Sequence, residues 1–239
     1  MDVSWFEQTE SDVPAGNDWL SRAEKLRLNS FRFAKRRDDW RLGRWTAKRA
    51  AAVWLKLPEL REIEIRSAPS GAPEVFIDNQ PPPMTISLSH RAGAAACAVA
   101  PAGTAVGCDL ELIEPRCDPF VADYFTDEEQ ALIARSLDSD RFRIIALIWS
   151  AKESALKALG AGLRLDTRWV AVYPSEPGCT CNSWHPLCVG SSDCRLFHGW
   201  WQSAGNLVRT LVAARDTIAD IHGSYRIDDG GSRNAGARV

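Results

Sequence analysis

Four side chains carry the first chemical signal. Asp109 and Glu111 stand two apart in Gly107-Cys108-Asp109-Leu110-Glu111. Glu153 and Lys157 stand four apart in Trp149-Ser150-Ala151-Lys152-Glu153-Ser154-Ala155-Leu156-Lys157-Ala158-Leu159-Gly160. Strand periodicity puts the first pair on one face, and helical periodicity puts the second pair on one face. Adjacent carboxylates repel, so a cation is expected to neutralise Asp109 and Glu111. An all-oxygen donor set favours magnesium over zinc. Each pair alone also has a plainer explanation. Asp109 and Glu111 suit a solvated strand face, and Glu153 with Lys157 suits a surface ion pair worth about 0.2–0.5 kcal/mol. Chemistry requires that the two stretches meet.

The elements that would position them follow from local pattern. Met84 to Leu88 reads as a strand that delivers Ser89-His90-Arg91 at its end. Ala94–Ala100 and Thr104–Leu112 read as a hairpin turning through Pro101-Ala102-Gly103. Gly107 would let a neighbouring backbone come close. Thr126, with Glu129 at the capping-box position, starts a helix. Arg141 to Ile148 runs helically into the Trp149 stretch, where Ser150 is a candidate cap and Gly160 a stop. Upstream, Trp40 to Leu57 is a helix ended by Pro58, with Arg41, Arg44 and Lys48 at helical spacing. Residues 173–190 look turn-rich. Leu196–Gln202 and Leu207–Ala213 look like the last strands.

The chain has 239 residues and a formal charge of -2, so no general attraction to nucleic acid is expected. Locally, Arg22 to Arg49 holds eleven Lys or Arg against three Asp or Glu, a face on which a polyanion could dock. No recognition helix or finger spacing accompanies it. No stretch approaches the ~20 apolar residues that span a bilayer. Seven Cys, an odd number, reads as free thiols in a reducing compartment, and the acidic, polar start shows no signal peptide. The expectation is a cytoplasmic protein without membrane or nucleic-acid partners. Cys179, Cys181, His185, Cys188, Cys194 and His198 offer soft ligands, yet their spacing fits no closed zinc site well.

Three stretches in order, Ile86-Ser87-Leu88-Ser89-His90, Gly107 through Glu111 and Trp149 through Lys157, resemble the 4'-phosphopantetheinyl transferases. Phe125-Thr126-Asp127-Glu128-Glu129 and Gly43-Arg44-Trp45-Thr46-Ala47-Lys48 resemble further stretches of that family. The resemblance is to the long, monomeric type that activates polyketide, nonribosomal peptide or fatty-acid synthases. It implies an α+β fold, a pseudo-dimer of two similar α/β subdomains, with residues 1–112 and 113–239 as the halves and coenzyme A in the cleft between them. No internal sequence repeat shows this independently.

The resemblance also implies roles. Asp109, Glu111 and Glu153 correspond to the Mg2+ ligands, and Asp109, Glu153 and Lys157 to the catalytic set. Arg44, Lys48, Ser89, His90, Lys152 and Lys157 correspond to contacts with coenzyme A, and Arg91 joins them on charge. The implied reaction is magnesium-dependent transfer of 4'-phosphopantetheine from coenzyme A to a serine hydroxyl of an apo acyl- or peptidyl-carrier protein, releasing 3',5'-ADP. Arg135, Arg141 and Arg143, with Phe120, Val121, Tyr124 and Phe125, are candidates for the carrier surface. Two departures stand out: Ala72 in Gly71-Ala72-Pro73 occupies a position where the family often has lysine, and Cys108 replaces an aliphatic residue. The rival reading is a noncatalytic carrier- or nucleotide-binding protein. Ala72 gives it slight support, and the intact Asp109, Glu111, Glu153 and Lys157 argue against it.

Overall fold

The computed structural model describes residues 3–178, 182–214 and 227–229. Its strands and helices in chain order are β1 (Val3–Thr9), α1 (Arg22–Asn29), α2 (Ala34–Leu55), β2 (Ile63–Ser67), β3 (Pro73–Ile77), β4 (Met84–Arg91), β5 (Ala94–Pro101), β6 (Val106–Leu112), α3 (Asp118–Tyr124), α4 (Asp127–Arg135), α5 (Arg141–Ala158), β7 (Val170–Pro174), β8 (His185–Ser191), β9 (Leu196–Ala204), β10 (Leu207–Ala214) and β11 (Ile227–Asp229). One sheet has the order β11-β1-β5-β4 and is accompanied by the β2-β3 hairpin; the other has the order β6-β10-β9-β8-β7. The long helix α2 covers the first group of strands and α5 covers the second. Alanine-rich β5, buried over most of its length, accepts close packing on both faces.

This is the expected mixed architecture of two similar α/β halves, with corrections of detail. β5 and β6 are not a hairpin. β5 pairs with β1 and β4, whereas β6 pairs with β10. The Pro101-Ala102-Gly103 turn therefore carries the chain from one sheet to the other. A division at Leu112 would assign β6 to the first half, but its hydrogen bonds place it in the second sheet, so sheet membership changes before Val106. Helix α5 starts at Arg141 rather than at Ser150, because the run Ile144–Ile148 supplies an apolar buried face a full two turns upstream. The turn-rich region contains a strand, β8. The Gly-, Asp- and Arg-rich composition of residues 228–239 suggests a fraying end; Asp228 and Asp229 stand in β11, and residues 230–239 lie outside the described residues.

The structure also exposes a repeat that the sequence alone did not. Ser21 accepts from Glu24 N at 3.2 Å while Glu24 accepts from Ser21 N at 2.9 Å; Thr126 and Glu129 do the same at 3.4 and 2.8 Å. Each glutamate's other oxygen accepts from a distant strand, Ile65 N in β2 and Val172 N in β7. Each then meets a fully buried lysine of the long helix, Lys48 at 2.5 Å and Lys152 at 2.8 Å. The lysines stand in matching tetrads, Trp45-Thr46-Ala47-Lys48 and Trp149-Ser150-Ala151-Lys152. Burial holds Lys48 and Lys152 below the ordinary lysine value and Glu129 above the ordinary carboxyl value.

Candidate active site

Gly107 explains how the two stretches meet. A Cβ on Gly107 would overlap the carbonyl oxygen of Ser154, so only glycine lets α5 lie directly on β6. Ser150 and Ser154 then dock their hydroxyls on Thr210 of the neighbouring strand, at 2.8 and 2.7 Å. Because Ser150 is spent there in mid-helix, Glu153 is not drawn back as a capping residue. Gly160 has φ 66° and ends the helix, as its residue type suggested.

This close crossing gathers the acidic residues. Asp109 Oδ1 receives Lys157 Nζ at 2.8 Å and Ser89 Oγ at 2.8 Å. Lys157 also donates to the Cys108 carbonyl at 2.9 Å. Burial is the largest single influence on Lys157 and lowers its pKa, but Asp109 by charge and hydrogen bond, with Cys108 and Glu153, together outweigh it and raise the value. Glu111 Oε1 accepts from the Trp149 indole at 3.1 Å. Burial raises the Glu111 pKa, Asp109 raises it further, and Arg91 and Arg116 oppose the rise. Glu153 is half-buried, and its pKa is raised by burial and then by Asp109, with Glu111 adding to the effect and Lys157 opposing it. The three carboxylates thus share one electrostatic neighbourhood.

Among the described residues, no group of three His, Cys, Asp or Glu side chains is gathered tightly enough to hold a metal ion unaided. The side chains present nevertheless suit magnesium. Asp109 Oδ2 and Glu111 Oε2 are buried without a hydrogen-bond partner. Magnesium is typically held by one or two carboxylates together with water and substrate phosphate, not by an all-protein cage. Two orphaned carboxylate oxygens beside an open cleft fit that habit.

A cleft runs from a lobe within the first half to a smaller lobe that reaches Lys157 and Gly160 at the end of α5. One lobe, of about 510 Å³, is lined by Arg27, Arg36, Trp40, Arg44 and His90 among others. A second, of about 240 Å³, is lined by Ser70–Pro73, Leu88, Lys157 and Gly160 among others. Gly71 and Leu88 border both. Arg44 stacks over Trp40 at 4.9 Å, and burial lowers its pKa. A cationic lobe at one end and Lys157 at the other make the cleft complementary to an elongated polyanion.

Several expected contacts lie elsewhere. Lys48 donates to the Trp19 and Leu60 carbonyls, and Lys152 to those of Thr167 and Val170. Both are fully enclosed, so they brace their helices and face no ligand. Ser89 sits under Asp109 as a positioning hydroxyl, also accepting from Leu110 N at 3.3 Å. Arg91 pairs with Glu114 at 2.8 Å, beside Glu111. Among the carrier-surface candidates, Arg143 is bound to Asp140 at 3.0 Å and to the Pro177 carbonyl, and Val121 and Phe125 belong to the core. Phe120, Tyr124 and Trp149 instead wall a groove of about 590 Å³ rimmed by Asp123, Arg164, Asp166 and Arg168.

Sequence reasoning missed Trp149 as the support of Glu111, because an indole at helical spacing reads as core. It also missed Glu114 and Arg116, which follow β6 without any motif. In the Cys/His cluster, Cys179 and Cys181 lie outside the described residues. His185 stacks on Trp201 with ring centroids 4.9 Å apart, and Cys188 and Cys194 carry no disulfide.

Comparison with known proteins finds similarity to one family. A sequence model of the 4'-phosphopantetheinyl transferase superfamily matches residues 105–192, a span that contains Asp109, Glu111, Glu153 and Lys157. The chain is 28% identical over 175 residues to the 4'-phosphopantetheinyl transferase HetI of Nostoc sp., covering 72% of this chain and 73% of that protein. It also aligns with the crystal structure of Thermotoga maritima holo-[acyl-carrier-protein] synthase at 23% identity and a TM-score of 0.34, over 46% of this chain and 61% of that one.

Proposed function

We propose that the chain is a member of the 4'-phosphopantetheinyl transferase superfamily, to which its sequence is similar, and that it transfers 4'-phosphopantetheine from coenzyme A to a serine hydroxyl of an apo acyl- or peptidyl-carrier protein. The observation that carries this reading is the pair of orphaned oxygens on Asp109 and Glu111, in one electrostatic neighbourhood with Glu153 and with Lys157, which lines the cleft and binds Asp109.

The cleft would take coenzyme A with its nucleotide end toward Arg44 and His90 and its pyrophosphate toward Lys157. Asp109, Glu111 and Glu153 would hold Mg2+, which when bound supplies Lewis-acid stabilisation of phosphoryl charge. Ser89 and Lys157 fix Asp109, and Trp149 fixes Glu111, so the carboxylates are set before substrate arrives. The carrier serine oxygen attacks the phosphorus attached to pantetheine, and Glu153 accepts the hydroxyl proton. The pyrophosphate P–O bond breaks, 3',5'-ADP leaves, and Lys157 compensates the charge on the phosphoryl oxygens. The aromatic groove of Phe120, Tyr124 and Trp149 adjoins Glu111 and suits the apolar face of a carrier helix. With both halves in one chain, a monomer is sufficient for the site.

Purified protein, coenzyme A, magnesium and a panel of apo carriers, followed by intact carrier mass, tests the reading. One phosphopantetheine addition with release of 3',5'-ADP is expected. Coenzyme A binding without addition to any carrier would favour a noncatalytic binder. Absence of both would overturn the assignment.

A further inference from the structure

Just beyond β6, Glu114 and Arg116 meet Arg91 from the end of β4. Glu114 Oε1 receives Arg91 Nη2 at 2.8 Å and Arg116 Nη2 at 2.9 Å. The same two arginines stand farther from Glu111 Oε2, Arg91 Nε at 3.7 Å and Arg116 Nη2 at 3.5 Å. Those separations exceed a charge-assisted hydrogen bond. Glu111 Oε2 and Arg91 Nε are accordingly both buried without a hydrogen-bond partner, although they are neighbours of opposite charge. Phe120 holds Arg116 from the other side, with the guanidinium 5.2 Å from the ring centre.

Two cations therefore hover over the very oxygen that would take a metal, and neither closes on it. The group that restrains them is Glu114, which binds both at full hydrogen-bonding distance. From this geometry we infer that Glu114 is a positioning residue that tethers Arg91 and Arg116 and so keeps Glu111 open to a divalent cation. The inference rests on the magnesium reading above and adds a residue to it. Without Glu114, either guanidinium can rotate onto Glu111 Oε2, satisfy two buried orphans at once, and compete with the ion. With Glu114 present, the arginines still lower the repulsion among Asp109, Glu111 and Glu153 from a distance. Glu114 itself need touch neither metal nor substrate.

Calorimetric titration of Mg2+ into protein saturated with coenzyme A, in the absence of any carrier, reads this without turnover. Glu114→Ala is expected to weaken Mg2+ binding by about tenfold, within the range of coupling between contacting charges. Adding Arg91→Ala and Arg116→Ala to that variant removes the competitors and should restore affinity to within about threefold of the original. A thermal melt of each variant checks that it folds, and Glu114→Gln, which keeps shape but loses charge, should fall between. Undiminished Mg2+ affinity in Glu114→Ala would overturn the inference. So would a triple variant as weak as Glu114→Ala, since a merely structural loss would not be rescued by removing arginines. A wild-type protein that binds coenzyme A but takes up no Mg2+ would overturn the magnesium reading itself, a result distinct from the other two.

Discussion

The two halves of the molecule share a frame and differ in what hangs on it. In each, a capping-box glutamate reaches a strand amide and a buried lysine of the long helix. In each, a tryptophan one turn before that lysine donates its indole N–H across to a strand: Trp45 to Gln8 at 3.0 Å, Trp149 to Glu111 at 3.1 Å. Position along the strands equates the rest. With the Trp45–Gln8 bond matched to the Trp149–Glu111 bond, counting back along β1 and β6 sets Phe6 against Asp109 and Ser4 against Gly107. On the long helices, Arg49 stands where Glu153 does and Val53 where Lys157 does. The frame that aims side chains is thus present twice, and the carboxylate–lysine constellation only once. Position alone gives no chemistry, and the second half differs from the first at just those positions where a cation, a phosphate and a proton would be handled.

Variants can break or sharpen this comparison. The largest effect is expected from the braces. Lys48→Met and Lys152→Met each leave a buried glutamate without its ammonium and should cost about 3–5 kcal/mol, measured by denaturant unfolding. Comparable losses would show that the two halves are braced alike, and a change under about 1 kcal/mol at either site would show that they are not. Gly107→Ser, which copies Ser4 into the second half, should cost about 1–3 kcal/mol by prising α5 from β6, and should weaken coenzyme A binding as well. An unchanged melting temperature would mean that the helix does not rest on that strand. Trp45→Phe and Trp149→Phe each remove one hydrogen bond, worth about 0.5–1.5 kcal/mol of stability. Only Trp149→Phe should slow transfer, so a rate loss in both would erase the distinction between the halves. The smallest effect is on thiol chemistry. Burial pushes the Cys108 thiol up to about 11 and Cys97 well above its ordinary value. Alkylation near pH ~8 should therefore mark exposed Cys117 and Cys194 while sparing Cys97 and Cys108 until the protein unfolds.

Period-two spacing put Asp109 and Glu111 on one strand face and period-four spacing put Glu153 and Lys157 on one helix face, while the expectation that the two pairs meet came from the family resemblance. Gly107 was legible because a glycine inside a strand needs a neighbour that comes close. Lys48 and Lys152 were misleading for a physical reason. A lysine at helical spacing looks the same in sequence whether it faces solvent, phosphate or a buried glutamate more than 20 residues away. Ser150 misled in the same way, since a serine before an alanine-rich run reads as a cap until the apolar face upstream is seen to be buried. The partner of a strand is a long-range fact, so β6 was joined to β5 when it belongs with β10. Trp149, Glu114 and Arg116 act through contacts across 38 residues or fewer in the chain but through no fixed spacing, and only coordinates reveal them.

The central claim is that only the face built from β6 and α5 does chemistry. Intact carrier mass, followed in time with coenzyme A and magnesium for the wild type, Glu153→Ala and Arg49→Ala, tests it most directly. Glu153→Ala should lose about 10²–10⁴-fold in transfer rate, the usual worth of a positioned proton acceptor. Arg49→Ala, the same position in the other half, should stay within about threefold of wild type, as for a residue that handles no proton. Equal losses in the two variants, or full activity without Glu153, would contradict the account.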